Sequence, residues 1–538
     1  ASGESHTCTR LVAPHSTDAS FPDRAQENHG ATVGAASAPT TRPMNSRCAF
    51  QACRSAIGSR LSTCSPYPSA AHDVVSRGKY LFRAVHATSS LSQQGPNLEE
   101  PFDKTNGYDY GLHSLAGGTT YNVDLTSNGF AWPAGAAASS AEADTAFLEV
   151  ILKGSTTSPT TQIDVPAIKT DGIGINKVQY FEQGGKGRRY LDLSPLLTSG
   201  RIESGEFIQL TSIEADWQVG PASLTTFSNP PANDRRVLIL SPHPDDAEIA
   251  AYGLYTSSNA DVVTITAGDA GKSKFGALWS SNIGEQYRAK GRIRTVDSLA
   301  VPLLGGLRPQ AIRNLGYYDG TLAQLWMDRP NIVSPKMAVL EEPGYFRRFN
   351  FDDELRHRPF ESSWDALVAD LLLELETVRP EIIVTPHPVL DRHDDHKFTT
   401  IALFEALFKR DQECTIYLYT NHAVGNEEFP LGPRNGMMGL PAWAKGDDDM
   451  LHLTGLYSHP LTTEEQNQKL VALESMHDLR PFDLRDGSPP VEIPPLYDYF
   501  RRAGRPNEVF FVTTVDGAER IYEDFVAIYE ESIRDSNC

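Results

Sequence analysis

A chain of 538 residues exceeds what one hydrophobic core usually supports, so two or three domains are expected. Its net charge of −21 argues against nucleic acid or an anionic membrane surface as the main partner, because phosphate binding needs basic patches. No stretch approaches the roughly 20 apolar residues of a membrane-spanning helix, and neutral or cationic substrates suit the charge better.

Residues 1–75 read as a disordered, low-complexity segment. They are rich in Ser, Ala, Thr and Pro and show no sustained period of 2 or 3.6. Residues 1–70 hold six arginines against four acids, so the negative charge lies in the remainder. Cys8, Cys48, Cys53 and Cys64 match no C-x-x-C spacing, which favours disulfides or free thiols over structural zinc. The chain opens on Ala rather than Met, as a processed form or a fragment would, with no charged and apolar leader pattern.

From 76 to 228 short β-like runs alternate with turn formers. Strands are expected at 79–86, 119–124, 146–152, 162–168, 177–182, 189–193 and 207–219, with Asn106-Gly107, Asn128-Gly129 and Gly184-Gly185 among the turns. That pattern predicts a β-sandwich-like accessory domain. Tyr180, Phe181, Tyr190 and Trp217 fit core aromatics better than a sugar-stacking platform.

Residues 234–538 alternate strand and helix. Strands are expected at 236–241, 261–267, 312–315, 381–386, 415–420 and 508–514. Helices are expected at 247–256, 284–300, 362–378, 395–409, 463–476 and 516–533. Trp364, Leu367, Leu371, Leu372 and Leu375 form one apolar stripe, which Arg379-Pro380 ends. The alternation predicts an α/β fold with a mainly parallel, Rossmann-like sheet. The first turn carries no G-x-G-x-x-G, so a dinucleotide is not expected.

That turn reads Ser241-Pro242-His243-Pro244-Asp245-Asp246-Ala247-Glu248, and Asp391-Arg392-His393-Asp394-Asp395-His396 follows the fourth expected strand. Both lie at carboxyl ends of strands, where open α/β sheets build ligand sites. A catalytic zinc takes three protein ligands from His, Asp, Glu or Cys and lowers the pKa of a bound water to about 7. His243 and Asp246, three apart on a turn entering a helix, reach one point, and His393 or His396 supplies the third ligand. Asp245 is placed to take and return a proton, and the histidine that binds no metal stabilises an oxyanion. An Asp-Asp pair at a helix start is more often a simple cap, so the weight rests on the two motifs occurring together. Pro386-His387-Pro388 repeats part of the first motif without its carboxylates and reads as a loop histidine.

Together these segments resemble the PIG-L/LmbE superfamily of zinc-dependent de-N-acetylases, over about 234–490. The first motif looks like that family's A-H-P-D-D-x-E signature and the second like its H-P-D-H. Thr266-Ala267-Gly268-Asp269 and Asn314-Leu315-Gly316-Tyr317-Tyr318-Asp319-Gly320 are also family-like. The resemblance implies Zn2+ (or another divalent metal) on His243, Asp246 and His396, with Asp245 as general base and His393 polarising the substrate carbonyl. It implies Arg288 and Asp319 as sugar contacts. Three positions depart from the pattern: Asp394 replaces a proline and adds charge near the metal, Gly291 stands where R-x-x-E has its glutamate, and His477 lacks the Ser-Gln that often follows. The implied reaction is removal of acetyl from an N-acetylated amino sugar of a glycan or glycoconjugate. The accessory domain suggests a glycan or glycoconjugate larger than a free metabolite, which favours a secreted or periplasmic protein. An amidase of the same fold acting on another acyl or thiol conjugate, or a non-catalytic glycan-binding protein, are the alternatives.

Overall fold

The computed structural model describes residues 117–136, 143–154, 167–182, 185–271, 280–410, 412–424, 429–441, 451–479 and 502–536. The expectations for residues 1–75, for the strand at 79–86 and for the four N-terminal cysteines lie outside these residues. Everything described belongs to one compact unit.

The region before residue 228 folds as short antiparallel strands: β1 (Thr119–Leu125), β2 (Gly129–Ala131), β3 (Thr145–Gly154), β4 (Ala167–Gly172), β5 (Ile175–Tyr180), β6 (Gly187–Asp192), β7 (Phe207–Ile213), β8 (Asp216–Trp217) and β9 (Gly220–Phe227). One sheet runs β1-β9-β3-β6 with β8 beside β3, and the other runs β2-β7-β4-β5. Alternate residues of both, including Leu148 and Val150 of β3 and Ile208 and Leu210 of β7, meet in one apolar cluster. The expected strand 207–219 is broken because Glu214 adopts φ +51°, a left-handed turn between β7 and β8. Strands β2 and β9 escaped the sequence reading. β2 has only three residues, too few to show a period.

Of the four aromatics, Phe181, Tyr190 and Trp217 are buried. Tyr180 is half-buried and packs on Gly432 and Gly436. They form core and interface rather than an open platform.

The second half is built on an apolar strand, β10 (Arg236–Ser241), with Val237, Leu238, Ile239 and Leu240 all fully buried. Burial on both faces is why this segment reads as an unbroken apolar run. Around it stand β11 (Asn259–Thr266), β12 (Ile312–Tyr317), β13 (Ile382–Pro386), β14 (Thr415–Tyr419), β15 (Gly455–Pro460) and β16 (Asn507–Thr514) in the order β12-β11-β10-β13-β14-β16-β15. The first five are parallel, while β16 runs antiparallel to both its neighbours, β14 and β15, which makes the sheet mixed. Strand order reverses between β10 and β13, so the loops leaving them open a crevice at the carboxyl end of the sheet.

Helices α1 (Asp246–Thr256), α2 (Ile283–Leu304), α3 (Leu322–Met327), α4 (Trp364–Val378), α5 (Asp394–Leu407), α6 (Thr463–Ser475) and α7 (Val515–Ser536) pack around the sheet. α4 buries Trp364, Leu367, Leu371 and Leu375, and Ser363 caps it by accepting from Ala366 N–H.

A buried carboxylate joins the two halves. Asp192, at the end of β6, accepts from Ser194 N–H (2.9 Å), from Asn507 Nδ2 (2.8 Å) and from the Ser458 hydroxyl. Ser458 N–H also donates to Thr145 Oγ1, and Met437 N–H to the Val178 carbonyl. The accessory strands thus cover the antiparallel end of the larger sheet. Asp192→Ala leaves buried donors of Ser458 and Asn507 unpaired and is expected to lower stability by about 2–4 kcal/mol. Chemical denaturation measures this, and a loss below about 0.5 kcal/mol would count against the junction being stabilising.

Candidate metal centre

The centre begins where β10 ends. Ser241 Oγ donates to the His243 carbonyl and accepts from Ala247 N–H, folding Pro242–Asp246 back across the sheet end. Asp245 occupies the capping position of α1 yet makes no side-chain cap bond. Its backbone sits at φ +125°, a conformation that costs a non-glycine residue about 1–3 kcal/mol. Its Oδ2 instead accepts from Arg294 Nη2 at 2.9 Å, and the same guanidinium donates to the Pro244 carbonyl at 2.6 Å. Arg294 comes from the middle of α2, so one side chain fixes both the turn and the carboxylate.

Three atoms from two loops converge. His243 Nδ1 lies 3.2 Å from Asp246 Oδ2 and 3.2 Å from His396 Nε2, and His396 Nε2 lies 3.1 Å from Asp246 Oδ2. A tetrahedral zinc with bonds of 2.0–2.1 Å has ligand–ligand edges of about 3.3 Å, so this triangle is one face of such a site.

The outer nitrogens are held by carboxylates. His396 Nδ1 is 3.0 Å from Asp391 Oδ2, and His243 Nε2 is 3.1 Å from Asp395 Oδ2 and 3.3 Å from Asp319 Oδ1. An ionised carboxylate only accepts, so each ring keeps a proton on its outer nitrogen, and with a cation in place its inner nitrogen would turn a lone pair toward the triangle. Asp246 is steadied by Asn421, whose Nδ2 donates to Oδ1 at 2.8 Å. The donor set, its spacing and its supporting shell fit a divalent cation.

His393 is the N-cap of α5. Its Nδ1 accepts from Asp395 N–H at 3.2 Å, which leaves the proton on Nε2. The ring stands edge-on to His243 with centroids 4.7 Å apart and lies 5.0 Å from His396. Burial, reinforced by His243 and His396, pushes its pKa down to about 3, so it is neutral.

The charge balance without an ion is instructive. Burial favours neutral His396, but Asp246 and Asp391 overcome it and raise its pKa to about 10. Burial likewise opposes charge on His243, and Asp319, Asp246 and Asp395 hold its pKa well above the imidazole value. Asp246, Asp319, Asp391 and Asp395 all lie below the usual carboxylate range: burial raises them and the neighbouring histidines more than reverse it. The inner protons of His243 and His396 stand where a cation would.

The expected residues His243, Asp245, Asp246, His393, His396 and Asp319 are therefore gathered at one point. Arg288 is not: its guanidinium pairs with the exposed Glu341 at 3.2 Å. Six residues along a helix turn about 120° away from the starting face, so Arg294 faces the crevice where Arg288 cannot. Gly291 replaces the expected glutamate because a Cβ there would come within 2.6 Å of the Phe346 ring and 2.7 Å of Asp269 Cβ. Asp394 adds no charge to the cluster. It opens α5, where negative charge suits the helix dipole, and its carboxylate lies 3.8 Å from Lys397 Nζ. His387 braces the β13 loop, its Nδ1 accepting from Val389 and Leu390 N–H. His477 joins none of the metal-capable groups among the described residues.

Asp391, Asp395, Asn421, His422 and Arg294 received no role from the sequence. Asp391 and Asp395 were visible within the second motif, but only their folded partners distinguish them. Asn421 and His422 follow β14 without any motif spacing.

A parallel sheet with histidines and carboxylates clustered at its switch-point crevice defines a candidate metallohydrolase architecture. Residues 238–407 match the family described as PIG-L, GlcNAc-PI de-N-acetylase, and the chain carries a domain of that family there. Similar solved structures include the A40926 pseudoaglycone deacetylase Dbv21 (17% identity, covering 52% of this chain and 97% of that one, TM-score 0.29). The zinc-inhibited form of teicoplanin deacetylase Orf2 has 18% identity over 52% and 98% of the two chains, with TM-score 0.29. The 4-carboxy-2-hydroxymuconate hydratase GalB of Pseudomonas putida has 12% identity over 52% and 95%, with TM-score 0.29. A search of curated proteins finds no match.

His396 titrates near 10 when folded and near 6.5 when unfolded, so its stabilising contribution is complete below about pH 6.5 and vanishes as pH rises through 10. Thermal melts of metal-free protein should therefore weaken across that window, and zinc uptake at pH 7.5 should release protons to an indicator dye. Asp391→Asn should weaken zinc binding about 10- to 100-fold in chelator competition, because His396 loses its orienting charge.

Proposed function

We propose that this protein is a metal-dependent N-deacetylase that removes acetyl from an N-acetylated amino sugar of a glycan or glycoconjugate. The observation that carries the reading is the His243–Asp246–His396 triangle with the carboxylate Asp245 beside it. The match at 238–407 supports the reaction class. In this reading His243, Asp246 and His396 hold zinc, which supplies Lewis acidity and makes water a stronger acid.

The remaining chemistry falls to the chain's own residues. Asp245 accepts the proton of the attacking water and returns it to the departing amine. Arg294, bonded to Asp245 Oδ2 and to the Pro244 carbonyl, holds that carboxylate in position. His393 donates its Nε2 proton to the acetamide oxygen as negative charge gathers there. Its low pKa suits this, since a neutral donor does not repel the ion beside it. Asp319, expected to contact sugar, shares His243 Nε2 with Asp395 and in this reading also orients that ligand.

The arrangement of the two antiparallel sheets before residue 228 supports a β-sandwich domain, followed by the deacetylase domain from about 234. Its junction through Asp192 makes it a wall of the enzyme rather than a tethered module, and this favours a substrate larger than a free monosaccharide.

Acetate release from acetylated sugars, oligosaccharides and glycoconjugates tests the reading. Asp245→Asn should retain zinc and lose about 10²- to 10⁴-fold in kcat. His396→Ala should lose both metal and activity. Undiminished turnover in either variant would sink the assignment.

A further inference from the structure

The two carboxylate oxygens of Asp246 have different partners. Oδ2 accepts from His243 N–H at 2.9 Å and forms a corner of the ligand triangle, 3.1 Å from His396 Nε2 and 3.2 Å from His243 Nδ1. Oδ1 accepts from Asn421 Nδ2 at 2.8 Å, and the same nitrogen donates to the Asp246 carbonyl at 3.2 Å. Both of those oxygens can only accept, so the nitrogen of the Asn421 amide, and not its oxygen, must face Asp246. Among the described residues Oδ1 has no other hydrogen-bond partner.

Asn421 has little freedom to turn away. It is buried, and its N–H donates at 3.0 Å to Asp391 Oδ2, the oxygen that stands 3.0 Å from His396 Nδ1. His422 N–H adds a second bond to that oxygen at 3.1 Å. A single residue just past β14 therefore ties the side chain of one expected ligand to the carboxylate that orients another.

We infer that Asn421 is a positioning residue that limits Asp246 to a single bond with the metal and so keeps one coordination place open for water. The inference rests on the metal-site reading given above. A carboxylate binds a cation through one oxygen or through both. With Oδ1 held by Asn421, only Oδ2 is offered to the ion, and His243 and His396 complete the three donors. A catalytic zinc needs its fourth place for water, and a second oxygen from Asp246 would compete for it. Removing the amide frees Oδ1 to take that place.

The metal-free full chain, reloaded with zinc or cobalt, provides the test, with Asn421→Ala and Asn421→Leu beside wild type. Leucine keeps the bulk of asparagine and removes the donor, whereas alanine removes both. X-ray absorption of the zinc-loaded wild type should count four light donors at about 2.0–2.1 Å. Both variants should gain a fifth donor at a longer mean distance, and their cobalt forms should lose the intense visible bands of a four-coordinate ion. A residue that only filled space would leave the leucine variant unchanged. Retention of four donors in a variant that melts like wild type without metal would overturn the role of Asn421. A carboxylate bound through both oxygens in the wild type would overturn it too, and that measurement needs no variant to fold. Failure of the wild-type chain to bind either metal would overturn the metal-site reading itself.

Discussion

Asp246, Asp319, Asp391 and Asp395 lie beneath one crevice, all but closed to water. Buried carboxylates at this density repel one another and have lost their hydration, so they stay ionised only with positive charge between them. His243 and His396 supply it, each gripped by carboxylates on both ring nitrogens, and Arg294 supplies more from the side. Much of the surrounding architecture follows from this need. The strand ends bring the acids together, α2 delivers the guanidinium, and the β14 loop delivers amide donors to Asp391 and Asp246. A divalent cation would replace two mobile protons with one fixed charge.

The parts of this arrangement that show in the sequence are those with local causes. Strand β10 reads directly because its residues are buried on both faces, and His243, Asp246, His393 and His396 read because each pair sits on one turn. Asp391 and Asn421 are different. Asn421 reaches Asp246 across 175 residues, and Asp391, though five residues from His396, is held by the amides of Asn421 and His422, and neither link leaves a periodic trace. Arg288 and Arg294 share one helix, and only its rotation against the sheet decides which faces the crevice. The glycine at 291 made the same point in advance, since its missing side chain is explained by Phe346 and Asp269, which lie in other segments.

The accessory strands illustrate a second limit. Alternation and turn residues indicated an antiparallel β region, but not that it would close the end of the larger sheet through Asp192, Ser458 and Asn507. Strand β15 went unrecognised for a related reason. Its polar residues Ser458 and His459 are buried at that junction, so it lacks the apolar signature of a core strand. The two halves are continuous packing, and the loop from Phe429 to Leu440 lies between them.

The backbone of Asp245 carries a last consequence. At φ +125° glycine would be the more comfortable residue, and the capping position gains nothing from the aspartate's side chain. Stability and chemistry therefore pull position 245 in opposite directions. A laboratory selection that rewarded heat resistance alone would drift toward glycine there, and on the proposed reading its survivors would be sturdy proteins that bind metal and turn over nothing.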